Sequence, residues 1–201
     1  MNVEMLCQNT ITCTGCMACA NSCPQQCISM STDAEGFYYP HVEIEECSEC
    51  GVCVGSCPLV QALPACTSIF PHSYAVVHHA NGIRKKSSSG GFFSAMANYV
   101  LQQEGVVFGA AFTSQWSVAH RSAQNREELQ GMLGSKYVQS YIGNTYTEAK
   151  QYLDMGKMVL FSGTPCQIAG LQTYLGALYD NLITVDFICH GVPSPLVWSR
   201  Y

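Results

Sequence analysis

Two runs of cysteine constrain this chain more than any other feature in it. The first is Cys13, Cys16, Cys19 and Cys23, closed by Pro24. The second, 34 residues further on, is Cys47, Cys50, Cys53 and Cys57, closed by Pro58. In each, three thiols recur at every third position and the fourth is delayed by one residue. The chain holds thirteen cysteines in 201 residues, and eleven of them lie in the first 66. Its first ten residues contain Glu4 and no Lys or Arg, so no secretory leader is expected. In the reducing, cytoplasmic compartment that follows, metal or redox chemistry outranks a disulfide framework.

The spacing matches that of bacterial two-cluster ferredoxins, in which the cysteine before proline serves the other cluster. Three thiolates at two-residue intervals on a tight loop wrap one face of an iron–sulfide cube, and the fourth reaches across. The expected ligand sets are Cys13, Cys16 and Cys19 with Cys57, and Cys47, Cys50 and Cys53 with Cys23, for two 4Fe-4S clusters. Gly15 and Gly51 free the backbone to bend close to sulfide. Pro24 and Pro58 stop the chain from running on as helix. Zinc sites prefer four ligands in two separated pairs, which these runs fit poorly. Cys7, Cys27 and Cys66 fall outside the pattern and receive no ligand role. Residues 28–44, between the runs, read as a hairpin beside the clusters.

Charge divides the chain in the same place. Residues 1–66 hold seven acids and no Lys or Arg, whereas residues 67–201 hold nine basic and seven acidic residues. Two domains are expected, 1–66 and 67–201, with a linker over 64–71. The acidic head suits a docking partner with a basic face; a solvated acidic surface explains it equally well. With a net charge of −5 and no long basic run, nucleic acid is not the expected partner. No apolar run reaches the roughly 18 residues needed to span a bilayer.

The second unit reads as strands and helices. A strand is expected over 74–79. Arg84, Lys85 and Lys86 follow, then Ser87, Ser88, Ser89, Gly90 and Gly91, then a helix from Phe92 to Leu101. A serine cap and two glycines opening a helix leave backbone amides free for an anion, such as a flavin or nucleotide phosphate; an ordinary cap beside solvated lysines is the alternative. Strands are expected at 106–112 and 118–123, a short helix capped by Asn125, and a helix over 145–154 with Thr145 and Glu148 as capping box. A strand at 158–161, a helix from Pro165 capped by Thr164 and ended by Gly176, and a strand at 182–188 form a βαβ unit with parallel strands. Cys166 and Cys189 then lie at the carboxyl ends of those strands, where open α/β sheets bind ligands. A helix N-terminus also favours thiolate at Cys166. Both are expected to face one pocket, as cluster ligands, redox-active thiols or inert buried cysteines. His41, His72, His78, His79 and His120 carry no motif and read as structural or solvated.

Four segments together carry a resemblance: Ser88-Ser89-Gly90-Gly91-Phe92-Phe93, Gly134 through Ser140 around Lys136, Phe161 through Gln167 around Thr164-Pro165-Cys166, and Asp186 through Pro195 around Cys189-His190-Gly191. With the cysteine-rich head, they resemble the coenzyme F-420 hydrogenase/dehydrogenase beta-subunit family. The resemblance implies an α+β ferredoxin-like dicluster domain followed by an α/β domain, incomplete here because the family continues past Pro195. It implies an iron–sulfur flavoprotein oxidoreductase. FAD would be bound near Ser88, Ser89, Gly90, Gly91, Lys136, Gly163, Thr164, Gln167 and His190, with Lys136 and Cys166 as catalytic candidates. Cys166 and Cys189 would help hold a third cluster completed by residues beyond this chain. The implied substrate is a small molecule or a deazaflavin, and the implied partner a ferredoxin, hydrogenase or dehydrogenase subunit. A ferredoxin-like carrier without flavin is the rival reading.

Overall fold

The computed structural model describes residues 2–7, 12–61 and 71–201. Cys66 and most of the expected linker lie outside them. The head contains α1 (Val3–Cys7), α2 (Ala18–Ser22), a hairpin of β1 (Ile28–Thr32) and β2 (Tyr38–Val42), and α3 (Val52–Gly55). Then come α4 (Asn81–Lys85), α5 (Phe92–Gln102), β3 (Val106–Phe112), β4 (Val118–Ala123) and α6 (Arg126–Leu129). The chain ends with α7 (Thr145–Asp154), β5 (Val159–Gly163), α8 (Pro165–Leu175), β6 (Leu182–Asp186) and α9 (Pro195–Ser199).

Strands β4, β3, β5 and β6 form one sheet in that order. The β3–β4 pair is antiparallel, while β3–β5 and β5–β6 are parallel. Alternation along β3 and β5 explains why both faces are covered. Val106, Phe108, Val159 and Phe161 point to one face and pack with Tyr146, Leu153, Ile168 and Leu171 of α7 and α8. Val107, Ala111 and Leu160 point to the other and pack with Ala97, Val100, Leu129 and Met132. Thr164 and Gln167 form a reciprocal capping box at the start of α8, and Gly176 ends that helix with φ of 63°.

Several local expectations change. Residues 74–79 form no strand. Tyr74, Val76 and Val77 are exposed, and the segment is tied by the His78 amide donating to the Gly90 carbonyl at 2.7 Å. Apolar residues without a neighbouring strand to pair with do not make a strand. No serine caps α5: Gly91 is the N-cap, with φ of 89°, and the Ser87 hydroxyl donates instead to the Ile83 carbonyl. Thr145 forms no capping box either, because its hydroxyl donates to the Ile142 carbonyl and Asn144 is the N-cap. β6 ends at Asp186, two residues short of the expected limit.

Head and sheet share a core. Met17 and Ala18 are buried in the same cluster as Phe108, Tyr146, Phe161 and Ile168. Asn21 Nδ2 donates to the Gly143 carbonyl at 2.8 Å, and Thr173 Oγ1 donates to the Ser56 carbonyl at 2.7 Å. The tip of the hairpin is pressed against α9, where the Ser194 hydroxyl donates to the Glu35 carbonyl. Among the described residues, no helix is long and apolar enough to cross a membrane.

Candidate metal centres

The internal repeat is visible in the backbone. Gly15 and Met17 have φ of 63° and 64°; Glu49 and Gly51, each 34 residues later, have φ of 51° and 74°. A short helix follows each pair, α2 and α3. Left-handed residues on either side of the middle cysteine bend each loop sharply around it. At Gly15 space adds a second requirement. A Cβ there would lie 2.6 Å from the Tyr38 carbonyl oxygen and 2.8 Å from Gln139 Nε2. Gln139 thereby locks the first loop to the hairpin, since its Oε1 also accepts from the Tyr38 amide at 3.1 Å.

The thiols gather in two sets. Cys23 comes from the first run, yet it lines one cavity with Cys47, Cys50 and Cys53 of the second, together with Cys27. Cys57 comes from the second run, and its pKa is raised by burial and then by the charge of Cys13. Burial also pushes Cys16 up to about 11, with Cys57 and Cys13 adding to the rise. Cys7 is pushed up to about 12 by burial and by neighbouring Cys13, and burial drives Cys19 well above its ordinary range. Cys23 departs from this trend. Burial raises it, but hydrogen bonds from the Cys27 backbone and side chain and from the Gln25 and Gln26 backbone together outweigh that and leave it lowered.

Thiols held up in this way ionise only against positive charge, and a polynuclear iron core supplies it. Soft sulfur donors in sets of four suit such a core. Among the described residues, no three Cys, His, Asp or Glu are drawn together for a single ion. A cube of four irons holds its thiolates farther apart than one ion does.

The first set touches the sheet unit directly. A Cβ on Gly170 of α8 would lie 3.1 Å from both Cβ and Sγ of Cys16 and 3.1 Å from the Tyr146 hydroxyl. Fully buried Tyr146 directs that hydroxyl at the carbonyls of Cys16, at 3.0 Å, and Gln167, at 2.8 Å. Cys166, in the first turn of α8, lies 3.0 Å from Thr164 Oγ1 and within the electrostatic field of Cys16.

Residues 12–60 match the 4Fe-4S dicluster domain, and residues 74–144 match the N-terminal domain of the coenzyme F-420 hydrogenase/dehydrogenase beta subunit. The head is thus similar to dicluster ferredoxin domains, and the segment after it to the N-terminal domain of that beta subunit. No curated protein matches the chain.

Of the residues expected near a flavin, the structure gathers some and leaves others apart. Gly163, Thr164, Cys166 and Gln167 lie together: Gln167 Oε1 accepts from the Thr164 amide at 3.0 Å, and its Nε2 donates to the Ser140 carbonyl at 3.4 Å. Gly163 and Asp186 are register partners on β5 and β6, so Cys166 and Cys189 each follow their strand by the same three residues. Cys189 and His190 are exposed. Ser88 and Ser89 are exposed as well, while Gly91 is buried against His78. Among the described residues, no hydrogen bond links residues 88–91 to Lys136 or to the Gly163 turn. Lys136 donates from Nζ to the carbonyls of Leu133 and Gly134, both at 3.0 Å, and burial lowers it to about 8.

Sequence reasoning passed over Cys7, Cys27, Tyr146, Gly170 and Gln139. Counting the cysteines flagged the first two as surplus thiols. Gly170 showed only as a glycine inside a helix. Gln139 lies in the Gly134–Ser140 segment, but its contact with the hairpin, like that of Tyr146 with Cys16, spans about a hundred residues or more and left no local mark.

Proposed function

We propose that the chain passes electrons between two 4Fe-4S clusters in its head and a flavin on its sheet unit, and from there to a small-molecule or deazaflavin-type substrate. The observation that carries this reading is the seat of Cys16 against α8. A thiol of the first set meets the helix whose opening turn stands at the carboxyl end of β5, the edge at which open α/β sheets take ligands. In this reading Cys13, Cys16, Cys19 and Cys57 hold one cluster, and Cys23, Cys47, Cys50 and Cys53 the other. The clusters supply single-electron chemistry, and the flavin couples it to two-electron chemistry.

The remaining roles belong to the chain's own groups. Gly170 admits the Cys16 loop, and Tyr146 holds it to α8. The amides opening α5 at Gly90 and Gly91 receive the flavin phosphates, with Ser88 and Ser89 beside them. Gly163, Thr164, Gln167 and His190 would help hold the flavin at the turn that opens α8. Lys136 Nζ, partly desolvated and with no acidic partner among the described residues, would supply positive charge to a reduced flavin. Cys166 and Cys189, on adjacent strand ends, are the donors offered to a further cluster. The acidic head docks a redox partner with a basic face, such as a ferredoxin or a hydrogenase or dehydrogenase subunit.

Anaerobic titration with FAD, followed by reduced viologen, tests the proposal. One FAD bound per chain and bleached together with the iron–sulfur absorbance is expected, with weaker FAD binding in Lys136→Met. An iron–sulfur spectrum unchanged by added FAD would leave only an electron carrier. Unaltered affinity and turnover in Lys136→Met would remove that residue's role.

A further inference from the structure

Cys27 belongs to neither cysteine run, yet it sits inside the second thiol set. It lines the cavity shared by Cys23, Cys47, Cys50 and Cys53, and it is 3% exposed. Its Sγ lies 3.5 Å from that of Cys23, and its side chain also reaches Cys47. Around it pack Ile28, Val42 and Val3. A cube with four irons has one site for each of four thiolates, so a fifth thiol in contact with two of them is left a different task.

We propose that Cys27 is a positioning residue that keeps its proton and donates an S–H hydrogen bond to the Cys23 sulfur, raising the reduction potential of the second cluster without ligating it. This rests on Cys23 being a ligand of that cluster, as proposed above. Cluster potentials respond to hydrogen bonds at sulfur, because the donor withdraws electron density and stabilises the more negative, reduced state. A thiol is a weak donor in water. Among apolar side chains its bond to an anionic sulfur is stronger.

The test compares the full chain with Cys27→Ala and Cys27→Ser, all purified anaerobically. Iron is counted, potentials are read by redox titration followed by electron paramagnetic resonance, and proton couplings are compared in water and deuterium oxide. Both variants are expected to keep the wild-type iron content. In Cys27→Ala one of the two potentials falls, the other holds, and an exchangeable-proton coupling disappears. In Cys27→Ser, which retains an O–H donor, the coupling persists and the potential recovers toward wild type. Loss of about half the iron in both variants would make Cys27 a ligand and overturn the proposal; unchanged potentials and couplings in Cys27→Ala would overturn it too. If Cys27→Ala does not fold, Cys27→Val, close to cysteine in size and lacking a donor, takes its place with the same expected fall in potential and loss of coupling. Full second-cluster content in Cys23→Ala would instead sink the ligand assignment beneath it.

Discussion

Met17 and Glu49 hold left-handed backbones, which cost an ordinary residue about 1–2 kcal/mol. Both loops carry that cost at matching places, and glycine relieves it at Gly15 and Gly51. Gly51 is the cleaner probe, because a Cβ there would meet nothing within 4 Å. Gly51→Ala is therefore expected to destabilise by about 1–2 kcal/mol through the backbone alone. Gly55, at the end of α3, has equally open space and no positive φ. Gly55→Ala should be neutral or stabilising by up to about 1 kcal/mol. Anaerobic thermal unfolding of the two variants reads the difference, and equal midpoints would contradict it. The bends at Gly15 and Gly51 were legible because glycine advertises them. Their counterparts at Met17 and Glu49 were not, since neither residue type signals a left-handed turn.

At the level of elements, His120 shows how the sheet is braced. It lies on β4, yet its Nε2 donates to the Ser162 carbonyl on β5 at 3.0 Å, reaching across β3. Its Nδ1 accepts from the Ser140 hydroxyl at 2.8 Å, and the ring stacks on Phe161. Burial lowers its pKa to about 4, against an ordinary 6.5. The neutral ring is the form that fits, so its contribution is fully present above pH 6.5 and drains away as pH falls toward 4. The total is about 3 kcal/mol. The unfolding midpoint of the wild type should fall more steeply across that range than that of His120→Gln; parallel slopes would contradict this. Strands β3, β4 and β5 and helix α8 were readable from apolar patterning and from Thr164, Pro165 and Gly176. His120 read as structural or solvated, because its partners Ser140 and Ser162 stand 20 and 42 residues away. The expected strand over 74–79 failed for the converse reason: local composition suits a strand, but no strand among the described residues pairs with it.

Across the whole molecule, charge and cysteine content separate residues 1–66 from the rest, and both are visible in the sequence. Packing joins what composition divides. Met17 and Ala18 lie in the core of the sheet unit, and Cys16 rests on α8 at Gly170. That junction depends on pairs more than a hundred residues apart, which no local pattern encodes. The electron path proposed between the head and the sheet unit rests on it. The account stands on two four-thiolate sites exchanging one member each. Iron, acid-labile sulfide and zinc, counted per chain after anaerobic purification and reconstitution, measure this directly. About eight irons and eight sulfides are expected, falling to about half in Cys23→Ser with the first cluster spared. Four irons or fewer in the wild type, or zinc in their place, would contradict it.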